Sequence, residues 1–183
     1  MAGLRFGGDL SNSTNYSGTS TSASQSLTID SSASYGGVID FPLPSDFSVQ
    51  AIELYFSRQQ TTLQNGELLA PPVSDLEVSV MQLGVVAAIP TDNPRLSWLV
   101  TATAGATRFE TSIGSETRPS IGVGGAVRWM MNDHFGVRAD LRALIDLTDS
   151  GGSVLACNGG CNYSYAGTVV VQGEASIGIV LRF

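Results

Sequence analysis

The strongest constraint on this chain is its final stretch, Thr168 to Phe183, which reads TVVVQGEASIGIVLRF. Val169, Val171, Ala175, Ile177, Ile179, Leu181 and Phe183 fall on odd positions, whereas Gln172, Glu174, Ser176, Gly178 and Arg182 fall on even ones. Successive side chains of a strand point to opposite faces, so this spacing predicts one strand with an apolar and a polar face. An apolar face on the last strand of a soluble sheet still needs something to cover it. In a closed membrane barrel, lipid covers it.

The same period of two recurs upstream. Gly3–Leu10 sets Leu4, Phe6 and Leu10 against Arg5, Gly7 and Asp9, and Tyr35–Leu43 sets Tyr35, Ile39 and Phe41 against Gly36, Val38 and Asp40. In Val49–Gln60, Ile52, Leu54 and Phe56 oppose Glu53, Tyr55 and Ser57. Leu96–Phe109, Ile121–Met131 and Phe135–Leu147 follow, the last with seven apolar odd positions against Gly136, Arg138, Asp140, Arg142, Leu144 and Asp146. Asp75–Ala88 is irregular: Leu76, Val78 and Val80 share one parity, Leu83, Val85 and Ala87 the other. A bulge near Val80-Met81 is predicted there, because one extra residue flips the face of everything after it.

These segments make eight strands. Polar stretches at Ser11–Ser34, Thr61–Ser74, Glu110–Pro119 and Thr148–Gly167 predict long loops; Pro42–Phe47, Ile89–Arg95 and Met131–His134 predict short turns. Strict alternation of long and short connections is expected of an outer-membrane barrel, with short periplasmic turns and longer external loops. Strand counting then puts both termini on the periplasmic side. Phe6, Phe41, Trp98, Trp129, Phe135 and Phe183 fall at the predicted periplasmic ends and Tyr35, Phe56 and Phe109 at the opposite ends, as two aromatic belts would.

Composition agrees. The length fits one domain, 1–183, and the charged fraction of 14% is low beside the roughly 25% of soluble domains. A formal charge of −7 argues against nucleic acid as a partner, and all nine basic residues are Arg. No run of 18 apolar residues offers a transmembrane helix. Met1-Ala2-Gly3 leads straight into strand-like residues, so the expectation is a mature exported form with an added start Met.

On these residues the chain resembles the small eight-stranded barrels of Gram-negative outer membranes, the OmpA-like and OmpW-like group, along its whole length. IGIVLRF is similar to their terminal insertion signal. The resemblance implies an all-β, antiparallel, up-and-down transmembrane barrel in the bacterial outer membrane, with lipid as a partner. It also implies that the barrel-assembly machinery reads Ile177, Ile179, Leu181 and Phe183.

Chemistry concentrates on the polar faces. Arg5, Arg128, Arg138, Arg142 and Arg182 are expected to point inward with Asp40, Glu53, Glu77, Asp140, Asp146 and Glu174. A barrel of eight strands has an interior that side chains fill, where charges must be paired. A closed ion-pair network plugging the lumen is the expectation, and a narrow ion path through it the alternative. Cys157 and Cys161, on a loop assigned to the oxidising exterior, are expected to form a disulfide rather than a metal site. His134 is the sole histidine, in a predicted periplasmic turn with no nucleophile to activate, so it is read as an exposed turn residue. Gly122-Val123-Gly124-Gly125 lacks the spacing of a phosphate loop and is read as room for the neighbours Arg128 and Arg138. Neither cofactor nor catalytic activity is expected. The function expected is structural or surface-interacting, through the external loops, with an extracellular ligand left open; the alternative is a narrow, porin-like channel of the OmpW type for small or apolar solutes.

Overall fold

The computed structural model describes residues 1–6, 9–14, 23–44, 49–64, 75–89, 91–112, 114–147, 164–165 and 169–182. Its strands in chain order are β1 Ala2–Phe6, β2 Asp9–Thr14, β3 Ala23–Ile29, β4 Ser32–Pro42, β5 Ala51–Gln64, β6 Asp75–Ile89, β7 Leu96–Thr111, β8 Gly114–Met130, β9 Phe135–Leu147, β10 Ser164–Tyr165 and β11 Val169–Leu181. Eight of them are staves of a closed antiparallel barrel, in the ring order β1-β4-β5-β6-β7-β8-β9-β11. The ring closes because β1 pairs on one side with β4 and on the other with β11, Arg5 facing both Ser32 and Glu174. Closure leaves every stave with two neighbours, which is how a sheet satisfies its backbone without a free edge.

Alternation sets the faces as the sequence predicts in most staves. On β11, Ile177, Ile179 and Leu181 point outward and are more than half exposed, while Gln172 and Glu174 are buried. On β9 all six even residues from Gly136 to Asp146 are buried. Trp98, Trp129 and Phe41 stand outward near the end of the barrel that carries the short turns. We call this the turn end, and the opposite one the loop end.

Four expectations are corrected. The first is the bulge in β6: the register with β5 runs unbroken from Thr62↔Asp75 to Ala51↔Val86, and that with β7 from Leu76↔Thr111 to Ile89↔Trp98. Leu76, Val78 and Val80 therefore point into the lumen and are buried, whereas Met81, Leu83 and Val85 point out. Outside, the same stretch turns polar, since Glu77 and Ser79 share the outward row with Arg58, Arg108 and Glu110 of neighbouring staves. The parity switch is a change of surroundings along a straight strand, not a change of register.

Secondly, Phe109 is 3% exposed and inward, so it belongs to this apolar stretch of lumen and not to an outer aromatic belt. Phe6 pairs with Gly173, well along β11 from the turn end, and so stands outside the turn-end belt assigned to it. Thirdly, no long loop separates β7 from β8, because β7 continues to Thr111 and β8 begins at Gly114. Ser, Thr, Glu and Arg alternate there without an apolar row, so hydrophobic periodicity carries no strand signal. Fourthly, the polar stretch 11–34 contains strand: β2 pairs with β3 from Asp9↔Thr28 to Thr14↔Ala23, and β10 pairs with β2. Backbone pairing needs no apolar face when the strands lie beyond the core.

Candidate functional site: the lumen

The inner face of β9 presents Arg138, Asp140 and Arg142 in one row, since residues two apart share a face. The inner face of β5 presents Glu53, Tyr55 and Ser57. These two staves are diametrically opposed, with three staves between them on either side. Their side chains nevertheless meet. Arg138 Nη2 lies 2.8 Å from Glu53 Oε2, and Arg142 Nη1 lies 2.8 Å from Glu53 Oε1. Asp140 Oδ1 takes both arginines, at 2.8 Å from Arg138 Nη2 and 3.0 Å from Arg142 Nη2. Arg138 Nη1 also reaches Asp40 Oδ2 of β4 at 3.2 Å. The Arg142 guanidinium stacks 4.2 Å from the centre of the Tyr55 ring. Planar guanidinium groups that fork between two carboxylates suit this crowding better than a point-charge ammonium would.

One step toward the loop end lies a second cluster. Arg5 Nε donates to Glu174 Oε2 at 2.8 Å and Arg5 Nη2 donates to Ser57 Oγ at 2.6 Å. Glu174 also accepts from the Tyr55 hydroxyl at 2.7 Å and from Ser57 Oγ at 2.8 Å. Arg5, Glu53 and Tyr55 are at most 2% exposed. Between Arg118 and Arg128 the inner wall of β6, β7 and β8 is uncharged: Thr103 Oγ1 donates to Gln82 Oε1 at 2.7 Å and Gln82 Nε2 to Ser120 Oγ at 2.9 Å.

Glycines on that wall make the cross-lumen contacts possible. A Cβ at Gly124 would stand 2.9 Å from Arg142 Cγ, and one at Gly122 would stand 2.6 Å from Gln82 Oε1. The space is thus kept for Arg142 and Gln82, not for Arg128 and Arg138 as the sequence suggested. Apolar side chains lie at either end of this polar section. Ala51, Val86, Leu99 and Ala126 cluster toward the turn end. Leu76, Val78, Phe109 and Val170 are buried toward the loop end, where the Arg118 guanidinium lies 5.6 Å from the Phe109 ring centre.

Of the residues singled out from the sequence, Arg138, Asp140, Arg142, Glu53 and Asp40 come together, and so do Arg5 and Glu174. The others do not join them. Glu77 points outward and pairs with Arg58, because β6 carries no bulge. Arg128 faces Arg138 across the β8–β9 ladder and turns toward Gln50. Arg182 is exposed beyond the end of β11, its backbone N–H donating to the His134 carbonyl. Asp146 is buried but apart from any guanidinium at ion-pair distance among the described residues. His134 is exposed in the turn before β9. Cys157, Cys161 and Phe183 lie outside the described residues. Tyr55, Ser57, Gln82 and Thr103 were not singled out, although Tyr55 and Ser57 share the parity of Glu53, which is the signal that could have found them.

No protein-family model matches the chain, and no curated protein matches its sequence. Among solved structures it is similar to Neisserial surface protein A, with a TM-score of 0.55 at 14% identity, covering 100% of this chain and 97% of that one. The fold is that of the small eight-stranded outer-membrane barrels. Ail, the attachment invasion locus protein of Yersinia pestis, also aligns over 100% of this chain and 97% of its own, at 15% identity. Its TM-score of 0.35 is too low to bear on the comparison.

Proposed function

We propose that this chain is an outer-membrane barrel whose lumen is plugged and whose loop end presents a surface for interaction outside the cell. The observation that carries the plug is the pairing of Arg138 and Arg142 with Glu53 across the full width of the barrel. Side chains from opposite walls that touch leave no room between them for a solute. Membrane placement is supported by the outward rows of Trp98, Val100, Leu141, Ile177 and Ile179, half or more exposed, which water would penalise and lipid would not. Beyond Met81 the outward row becomes Arg58, Ser79 and Arg108 while the inward side becomes apolar. That is the arrangement of a barrel that has left lipid and entered water. It supports reading the loop end as external and the short turns and both termini as periplasmic. Loops on a rigid scaffold are where binding concentrates, and the similar Neisserial protein is itself named a surface protein.

Purified protein in planar bilayers should show no reproducible conductance steps. Steps abolished by Arg138→Ala would favour the narrow-channel reading instead. The assembly machinery is proposed to read the end of β11; in cells, Phe183→Asp should leave unfolded chain in the periplasm, and normal heat-modifiable barrel would remove that role. Catalysis forms no part of this reading.

A further inference from the structure

On the outward face of β5, β6 and β7, charge is laid out in two rows above the apolar band. The ladders put Arg58 beside Ser79, and Ser79 beside Arg108. Two residues on toward the loop end, the next outward row sets Glu77 directly opposite Glu110. Two residues back toward the turn end, the row is Phe56, Met81 and Ala106, with the Phe56 and Met81 side chains exposed. The order up this wall is therefore apolar, basic, acidic. It is confined to one side of the barrel, because the outward residues near the loop-ward ends of β9 and β11 are Leu147 and Val171.

Ser79 is the small residue between two arginines, which leaves a gap between their side chains with a hydroxyl at its base. Arg58 pairs with Glu77, and Arg108 with Glu110 at 3.4 Å. The side chains of Arg58, Arg108 and Glu110 nevertheless stay 38%, 55% and 52% exposed. A guanidinium carries five N–H donors, so each arginine keeps donors for a second anion. Glu77 and Glu110 are like charges directly opposite on one face, an arrangement that destabilises a strand pair by itself. A cation seated between them relieves that repulsion. The two arginines and two glutamates sum to zero charge, which suits a zwitterion better than an anion.

We propose that this wall binds the head group of a phosphoethanolamine glycerophospholipid. The phosphate sits between Arg58 and Arg108 over Ser79, the ammonium between Glu77 and Glu110, and the acyl chains lie along Phe56 and Met81. Arginine forks onto phosphate oxygens with two parallel N–H donors. In such a head group the ammonium stands two carbons beyond the phosphate, on the side away from the acyl chains, which is the order of the rows. Successive outward rows are about 6.8 Å apart along a strand, so one head group spans the basic and acidic rows. A primary ammonium donates N–H bonds to both carboxylates, whereas a quaternary one has none to give. The basic row adjoins the apolar row directly, leaving no polar row for sugars between phosphate and acyl chain, and this favours a glycerophospholipid over a glycolipid. The proposal rests on the membrane placement given above, which puts these rows at the edge of the lipid band.

The test is native mass spectrometry of the whole barrel, released from detergent in the presence of equal amounts of phosphatidylethanolamine, phosphatidylcholine and phosphatidylglycerol with the same acyl chains. The wild type is expected to retain phosphatidylethanolamine about fivefold over either competitor, the scale that exposed charge pairing allows. The pair Arg58→Gln, Arg108→Gln should lower retention of all three lipids. The pair Glu77→Gln, Glu110→Gln should abolish the preference for phosphatidylethanolamine and raise retention of phosphatidylglycerol. Equal retention of the three lipids by the wild type would overturn the proposal without any variant, as would a preference that survives both pairs of substitutions. Lipid A carrying phosphoethanolamine, retained ahead of phosphatidylethanolamine in a separate competition, would overturn the choice of a glycerophospholipid. Insertion into phosphatidylcholine nanodiscs reports separately on membrane placement: a barrel that inserts there and shows no head-group preference fails only the proposal made here.

Discussion

Strands β9 and β6 line the same lumen in opposite ways. From Arg138 to Arg142, β9 turns charges inward and apolar residues outward, as a stave between lipid and a polar interior must. From Leu76 to Val80, β6 does the reverse, burying aliphatic side chains and showing Glu77 and Ser79 to the outside. Within these two stretches neither solution leaves an uncompensated charge inside. On the proposed membrane placement, what decides between them is the medium outside. Where lipid covers the barrel the outside must be apolar, so polar side chains are displaced inward and must be paired there. Where water covers it, the barrel returns to the ordinary arrangement with aliphatic side chains inside.

Breaking the charged solution should have the largest effect. Glu53→Ala leaves Arg138 and Arg142 without the one carboxylate that both reach on the facing wall. The expected loss is about 4 kcal/mol, within the range for stranding a buried charge, read as an earlier midpoint in urea unfolding of the micelle-embedded protein. Asp140→Ala should cost somewhat less, about 3 kcal/mol, because each arginine keeps Glu53. A midpoint unchanged by either substitution would mean that these groups are hydrated, and would move weight from plug to pore.

The boundary between the two solutions can be located on β6 itself. Leu83→Arg puts a cation on an outward position in the lipid band and should destabilise by about 2 kcal/mol, as cations on lipid-facing strand positions do. Ser79→Arg, one full turn of alternation beyond Met81, should stay within about 0.5 kcal/mol, the scatter of surface changes. Equal costs in the two variants would show that the polar outward row still sits in lipid. The smallest effect is expected of Glu77→Gln, which removes the charge from the partly exposed pair with Arg58. Its unfolding midpoint should be indistinguishable from wild type, because exposed ion pairs contribute little. A loss comparable to that of Glu53→Ala would return Glu77 to the interior network.

What the sequence determined by itself was the number of staves and, for most of them, which face is outward. Each stave in lipid must carry its own apolar row, so each announces itself locally, as Phe135–Leu147 and Thr168–Phe183 do with a period of two. The charges of β9 were equally legible, because residues two apart share a face whatever the rest of the chain does. Only the tertiary structure decided who answers them. Glu53 meets Arg138 because ring closure sets β5 opposite β9, a relation that no local period encodes. The same closure left Asp146 near Thr107 and outside ion-pair distance of any described arginine. It also decided the phase of β6, since an alternation that is apolar first on one side and then on the other reads equally as a bulge or as a strand passing from water into lipid. The unbroken ladders to β5 and β7 exclude the bulge, because a bulge would leave one extra residue of β6 unpaired.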